Sequence, residues 1–198
     1  EGKTPALSDT QARALLDAPP TDTLKGVRDR AILSVLLYHG LRREELTKLR
    51  VKDFGQQRRG VVHMLVQGKG GKQRFLPIHP DSAHCVALYL KMAGHTKEKD
   101  AALFRSVGKN GDNGPARGLS PGAVYSEVVK YYMAQLGIEG ENLGPHALRA
   151  TAATCALENE ADISQVQAWL GHSNISTTKV YDRRDAKPQQ SPTFKVRY

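Results

Sequence analysis

The chain has 198 residues, enough to bury an ordinary core in one domain. At 39% hydrophobic it is too apolar for a disordered chain, and no apolar run reaches bilayer-spanning length. Its 29 Lys and Arg against 20 Asp and Glu give a formal charge of +9, spread over several blocks, which favours a polyanionic partner such as nucleic acid.

The opening "EGKTP" lacks an initiator Met and reads as a linker cut open, so a longer protein is expected. "LSDTQARALLDA" follows, with Ser8 as N-cap and Leu7, Ala12, Leu15 and Leu16 on one helical face. "VRDRAILSVLLYHG" predicts an almost wholly apolar helix from Val27 to Tyr38, closed by Gly40. "LRREELTKL" starts another helix at once, with acidic residues early. "VVHMLVQ" and "QRFLPI" read as two strands joined by a "GKGG" turn, and Asp53 before them as a residue that fixes the turn into the sheet. "HPDSAHCVALYLKMAG" predicts a helix with Pro80 in its first turn and Gly94 after its end.

"VGKNGDNGPARG" lacks periodicity and reads as a surface loop. Helical patterns resume in "SPGAVYSEVVKYYMAQLG", "GPHALRATAATCALENE", "DISQVQAWLG" and "NISTTKVYDR", before a Pro-interrupted tail with a β-prone end. The expected fold class is α+β, mostly helical, with one small antiparallel sheet and no composition break that marks two domains.

Cys85 and Cys155 are far apart in helical contexts and read as free thiols, not as a disulfide framework. With no signal-peptide core, this predicts a cytoplasmic protein without a membrane partner. Seven histidines include no H-x-x-x-H pair, and neither C-x-x-C, Walker A nor G-x-S-x-G spacing occurs. Neither a metal nor a cofactor is expected.

Three stretches place strong hydrogen-bond donors beside glycine or at a helix start. In "HGLRREEL", Arg42 follows Gly40 at a helix N-terminus, a setting suited to a phosphate, although a solvated arginine paired with Glu44 or Glu45 is the simpler local reading. In "QGKGGKQR", Lys69 sits at a hairpin tip with Lys72 and Arg74 beside it, where a DNA phosphate contact competes with mere solubility. In "GPHALRATAATCALE", His146 and Arg149 are three apart and are expected on one helical face. "WLGHSNISTTKVY" then adds His172, a polar spacer and Tyr181.

Taken in order, these stretches resemble the catalytic domain of the tyrosine recombinases, the phage-integrase and Xer-like family. "GLRREEL" is similar to that family's first-arginine box, "GKGGKQRFLPI" to its β-hairpin lysine, "HALRATAAT" to its H-x-x-R box and "LGHSNISTTKVY" to its L-G-H-x-x-x-x-T-T-x-x-Y box. The likeness runs from "LSDTQARALL" through Tyr181. One departure is "RREEL", which has Arg43 and Glu44 where relatives often carry a small or apolar pair.

The resemblance implies a tyrosine-recombinase catalytic-domain fold over 1–182, whose small sheet carries the lysine hairpin. It implies site-specific cutting and rejoining of DNA through a 3′-phosphotyrosyl intermediate, without metal or ATP. Arg42, Lys69, His146, Arg149, His172 and Tyr181 would be catalytic: Tyr181 the nucleophile, the two arginines and two histidines phosphate ligands, Lys69 the donor to the leaving oxygen. Glu45 would orient Arg42. The expected partners are double-stranded DNA, further copies in a tetramer on paired sites, and accessory DNA-bending proteins, with the protein at the nucleoid when bound. A helical DNA-clamping domain is expected to precede this segment, and the 183–198 tail to pack on its own domain or on a neighbouring protomer. A type IB topoisomerase, or a DNA-binding relative without catalysis, are the alternative readings. The polar spacer predicts that Tyr181 is out of position until DNA and a partner subunit arrive.

Overall fold

The computed structural model describes residues 5–108, 111, 113–140, 143 and 146–184. Its centre is α2 (Leu24–His39), a helix that carries no single apolar stripe because it is buried nearly all round. The Thr23 hydroxyl caps its start by accepting the Gly26 N–H at 3.1 Å, and Gly40 ends it in the left-handed conformation at φ 58°. A side chain is excluded at Gly40, since a Cβ there would stand 2.9 Å from Leu170. The helix thus begins three residues before the predicted Val27.

Around α2 pack α1 (Asp9–Asp17), which Ser8 and Gln11 start as a reciprocal capping box, and α4 (Pro80–Ala93), which runs between Pro80 and Gly94 as predicted. After Gly40 the chain turns into the short α3 (Arg43–Thr47) and then into a three-stranded antiparallel sheet. Its strands are β1 (Phe54–Arg58), β2 (Val61–Gln67) and β3 (Gln73–Pro77), in that order. Asp53 fixes the entry, accepting the Arg50 N–H at 3.0 Å from a buried position. β1 was not predicted: "FGQQR" lacks apolar alternation, and a bulge between Phe54 and Gln56 breaks its register.

The surface loop expected over 107–118 is likewise overturned in part. The glycine-rich segment is not all loop, because β4 (Arg105–Val107) pairs antiparallel with β5 (Asn113–Gly118). Pairing comes from backbone groups, so the absence of side-chain periodicity hid it. The chain then enters α5 (Pro121–Ala123), a π-helical stretch at Val124–Val129 and α6 (Lys130–Gln135). It closes with α7 (Ala147–Glu158), α8 (Ile163–Leu170) and the four-residue α9 (Ser176–Lys179). The 185–198 tail lies outside the described residues.

Burial divides into a main cluster around α2 and a smaller one in which Ala150, Ala153, Leu157, Val166 and Leu170 pack with Tyr181. Trp169 packs against both. A buried ionic knot fixes the start of α2: Asp29 is fully buried and accepts from Arg28 at 2.7 and 2.9 Å, from Lys25 at 2.6 Å and from Tyr132 at 3.2 Å. Arg28 also donates to the Arg105 carbonyl, tying α2 to β4. Removing the Asp29 carboxylate strands a buried guanidinium, so Asp29→Ala is expected to lower stability by about 3–5 kcal/mol, read from urea unfolding of both proteins.

Candidate active site

Where α2, α3, β3, α7 and α8 meet, arginines converge on one carboxylate. Glu45, in the first turn of α3, is 3% exposed. It reaches back to accept the Arg42 backbone N–H at 2.9 Å and the Arg42 guanidinium at 3.0 Å. Arg74 on β3 grips the same carboxylate bidentately, at 3.0 and 2.9 Å, and its Nε donates to the Trp169 carbonyl at 3.0 Å. Burial pushes the Glu45 pKa up, but hydrogen bonds from Arg74 and Arg42 outweigh it and hold the carboxyl below its ordinary value.

Arg149 lies beneath, 3% exposed. Its fork donates to the Gly40 carbonyl at 2.5 Å and the Leu170 carbonyl at 2.7 Å, which stand at the C-terminal ends of α2 and α8. Such carbonyls lack intrahelical donors and carry the negative end of the helix dipole, so they suit a buried cation. Burial and the Arg42 charge draw the Arg149 pKa down to about 10, which leaves it charged near neutrality.

Gly171 ends α8 in the left-handed conformation at φ 70° and turns the chain into His172. A Cβ at Gly171 would press against the Arg74 fork at 3.1 Å, so glycine lets β3 dock against this turn. The His172 Nδ1 lies 2.9 Å from the Thr178 hydroxyl oxygen. Burial, then the charges of Arg149, Arg42 and Arg74, push the His172 pKa down to about 4.

A cleft of about 440 Å³ opens over this cluster, lined by Arg42, Glu45, Lys69, Lys72, Arg74 and His172 among others. Lys69 and Lys72 are exposed on the hairpin, whose Gly70 and Gly71 both take positive φ. A larger hollow of about 680 Å³ between α1, α2 and α4 has a more apolar lining, including Leu16, Leu88 and Met92, and gathers none of the predicted site residues. The smaller, cationic cleft is the candidate site.

Not every expected residue lines it. His146 is exposed just before α7 while Arg149 is buried within it, so two residues expected on one helical face differ in burial. Tyr181 is 8% exposed, packed in the smaller apolar cluster and outside the cleft lining. Its ring centroid lies 6.1 Å from that of His172, with 29° between the planes. Arg74, expected to contact DNA, has instead committed its fork to Glu45 and Trp169 as a strut between β3 and the end of α8. The signal was present in "QRFLP", where alternation with buried Leu76 places Arg74 on the inward face. Sequence reasoning also missed the buried Thr178.

Residues 5–187 match the sequence profile of the phage integrase family. The chain belongs to that family. It is 35% identical to the tyrosine recombinase XerD of Yersinia pestis over 175 residues, covering 88% of this chain and 56% of that one. Against the tyrosine recombinase XerC of Shewanella amazonensis it is 38% identical over 173 residues, covering 86% and 53%. This family member thus spans about half the length of these relatives. Its fold is that of the family's solved catalytic domains: the XerA recombinase superposes with a TM-score of 0.72 at 25% identity, covering 100% of this chain and 68% of that one. The XerH recombinase bound to its difH substrate also gives 0.72, at 23% identity, covering 96% and 53%.

The lowered pKa of Glu45 makes its ion pairs a source of stability that is intact above the ordinary glutamate value of 4.5 and lost as pH falls through the lowered one. Glu45→Gln is expected to destabilise the protein by about 1.5–3 kcal/mol near neutrality, and the difference from wild type should shrink below pH 4.5 in denaturation measured across pH.

Proposed function

We propose that this chain is the catalytic part of a site-specific DNA recombinase that cuts and rejoins strands through Tyr181. The observation that carries the reading is Arg42, held by the buried Glu45 carboxylate that Arg74 braces, with the buried Arg149 charge beneath and a lysine-rimmed cleft above. Such preorganised donors stabilise negative charge that develops on a phosphodiester during attack. The names of the relatives agree, and three structural neighbours were solved on DNA: XerH on difH, a lambda integrase dimer on a COC′ core site and the Tn1549 integrase with circular-intermediate DNA.

In this scheme Arg42 and Arg149 face the non-bridging oxygens, with His172 donating a further hydrogen bond. Tyr181 Oη attacks phosphorus, giving its proton to His146, while the bond from phosphorus to the 5′ oxygen breaks. Lys69 on the hairpin protonates that leaving oxygen, giving a 3′-phosphotyrosyl enzyme and a free 5′-hydroxyl. The covalent bond retains the free energy of the phosphodiester, so a second 5′-hydroxyl can reverse the step without ATP. Glu45 holds Arg42 in place, and Lys72 contacts a neighbouring phosphate. Tyr181 packs among Ala150, Leu157 and Leu170, so attack requires its phenol to leave that pocket for the cleft. Binding of paired DNA sites by four copies supplies the occasion for that movement, with a DNA-clamping domain and bending proteins assisting, in the cytoplasm at the nucleoid. For the 183–198 tail the reading keeps both expectations, docking on its own domain or on a neighbouring copy.

The test uses a pool of nicked duplexes with a randomised segment around the nick, so that the short leaving strand diffuses away and cleavage is trapped. Wild type is expected to form a protease-sensitive covalent adduct, and sequencing the trapped DNA identifies the site. Tyr181→Phe should form none. An adduct that persists in the variant removes Tyr181 from the nucleophile's role.

A further inference from the structure

Thr178 stands in α9, three residues before Tyr181, and is fully buried. Its hydroxyl oxygen lies 2.9 Å from His172 Nδ1, and its carbonyl accepts the Tyr181 backbone N–H at 3.0 Å. One residue therefore holds both the ring that lines the cleft and the backbone of the proposed nucleophile. The contact at Nδ1 has two possible polarities, and the burial of Thr178 decides between them.

Among the described residues, His172 Nδ1 is the only hydrogen-bond partner of the Thr178 hydroxyl. If the ring donated from Nδ1, the hydroxyl hydrogen would be buried without an acceptor, which native structures avoid. That polarity would also leave Nε2 as a bare lone pair beside the cleft, repelling any anion there. If the hydroxyl donates instead, both groups are satisfied and Nε2 carries the ring proton. A doubly protonated ring fits neither case, because burial opposes its charge, as do Arg149 from α7, Arg42 before α3 and Arg74 from β3, outweighing the attraction of Glu45. Lys69 and Lys72 on the cleft rim are cationic too.

We infer that Thr178 is a positioning residue: it donates its hydroxyl hydrogen to His172 Nδ1 and so fixes the ring as a neutral Nε2–H donor toward the cleft. The tautomer follows from Thr178 alone, whereas the ligand of Nε2–H, a phosphate oxygen, rests on the function proposed above. The hydrogen bond reaches the nucleophile's segment as well, since the same short helix presents the Tyr181 backbone to the Thr178 carbonyl. Any displacement of α9 that carries Tyr181 toward DNA would also test this bond.

The experiment is imidazole ¹⁵N spectroscopy on the full chain across pH, with His172→Asn to assign the ring, followed by titration with inorganic phosphate. Wild type and Thr178→Ser are expected to carry the proton on Nε2 near neutrality. Thr178→Val keeps the side-chain shape but removes the donor, so the Nδ1–H form should become populated. The ring pKa should then rise by about one pH unit, because a bond that favoured the neutral form is gone. A role in packing alone would order the variants the other way, with Thr178→Val matching wild type and Thr178→Ser shifted. That ordering, or a wild-type proton on Nδ1, overturns the inference. Saturable movement of the Nε2–H resonance with phosphate in wild type and Thr178→Ser, reduced in Thr178→Val, supports the anion site. Expected tautomers with no response to phosphate uphold Thr178's role and sink the phosphate reading of the cleft instead.

Discussion

Everything in the cleft depends on the Glu45 carboxylate. Arginine side chains from β3 and from the start of α3 converge on its two oxygens, with Arg149 close enough for their charges to act on one another. Without an anion among them, such a group would repel itself apart. The carboxylate binds Arg42 and Arg74 in fixed geometry, yet two acceptor oxygens cannot neutralise every cation present. The surplus positive charge is what the cleft presents to a ligand, already oriented and with little reorganisation left to undergo.

Arg149 extends the same logic to the ends of helices. Its guanidinium satisfies carbonyls at the C-termini of α2 and α8, so the helices that frame the site are joined through a residue that also charges it. Gly40 and Gly171 make this possible, each ending its helix in the left-handed conformation and leaving room for the neighbour that closes over it. A cation placed this way contributes to folding before any ligand arrives. The opposing effects are visible in its pKa: burial draws it down to about 10, while Glu45 and Tyr181 pull the other way.

Much of this was legible in the sequence, for identifiable reasons. Gly40, Gly94 and Gly171 announced helix ends because only glycine takes that backbone cheaply, and Pro80 announced a start. The strands β2 and β3 were marked by apolar residues around a glycine turn. What escaped were features made by long-range partners: the bulged β1, the β4–β5 pair, and the partition that leaves His146 exposed while Arg149 is buried. Arg74 and Lys72 look alike as basic residues near a hairpin tip, but Arg74 shares the inward face of β3 with Leu76 and meets Glu45 there, while Lys72 stays on the rim. The pocket that holds Tyr181 is made by α7 and α8, and nothing in "STTKVY" states that the tyrosine would fill it.

If the charge gathered around Glu45 serves one phosphodiester-like ligand, the cleft should take up an analogue of the phosphoryl group under attack. The most direct measurement is a crystal structure of the chain with orthovanadate, whose trigonal-bipyramidal form resembles a phosphoryl group under attack. Vanadate is expected in the cleft, with oxygens accepting hydrogen bonds from Arg42, Arg149 and the His172 Nε2–H. Vanadate bound elsewhere at saturating concentration, with the Arg42–Glu45–Arg74 cluster left empty, would contradict that expectation.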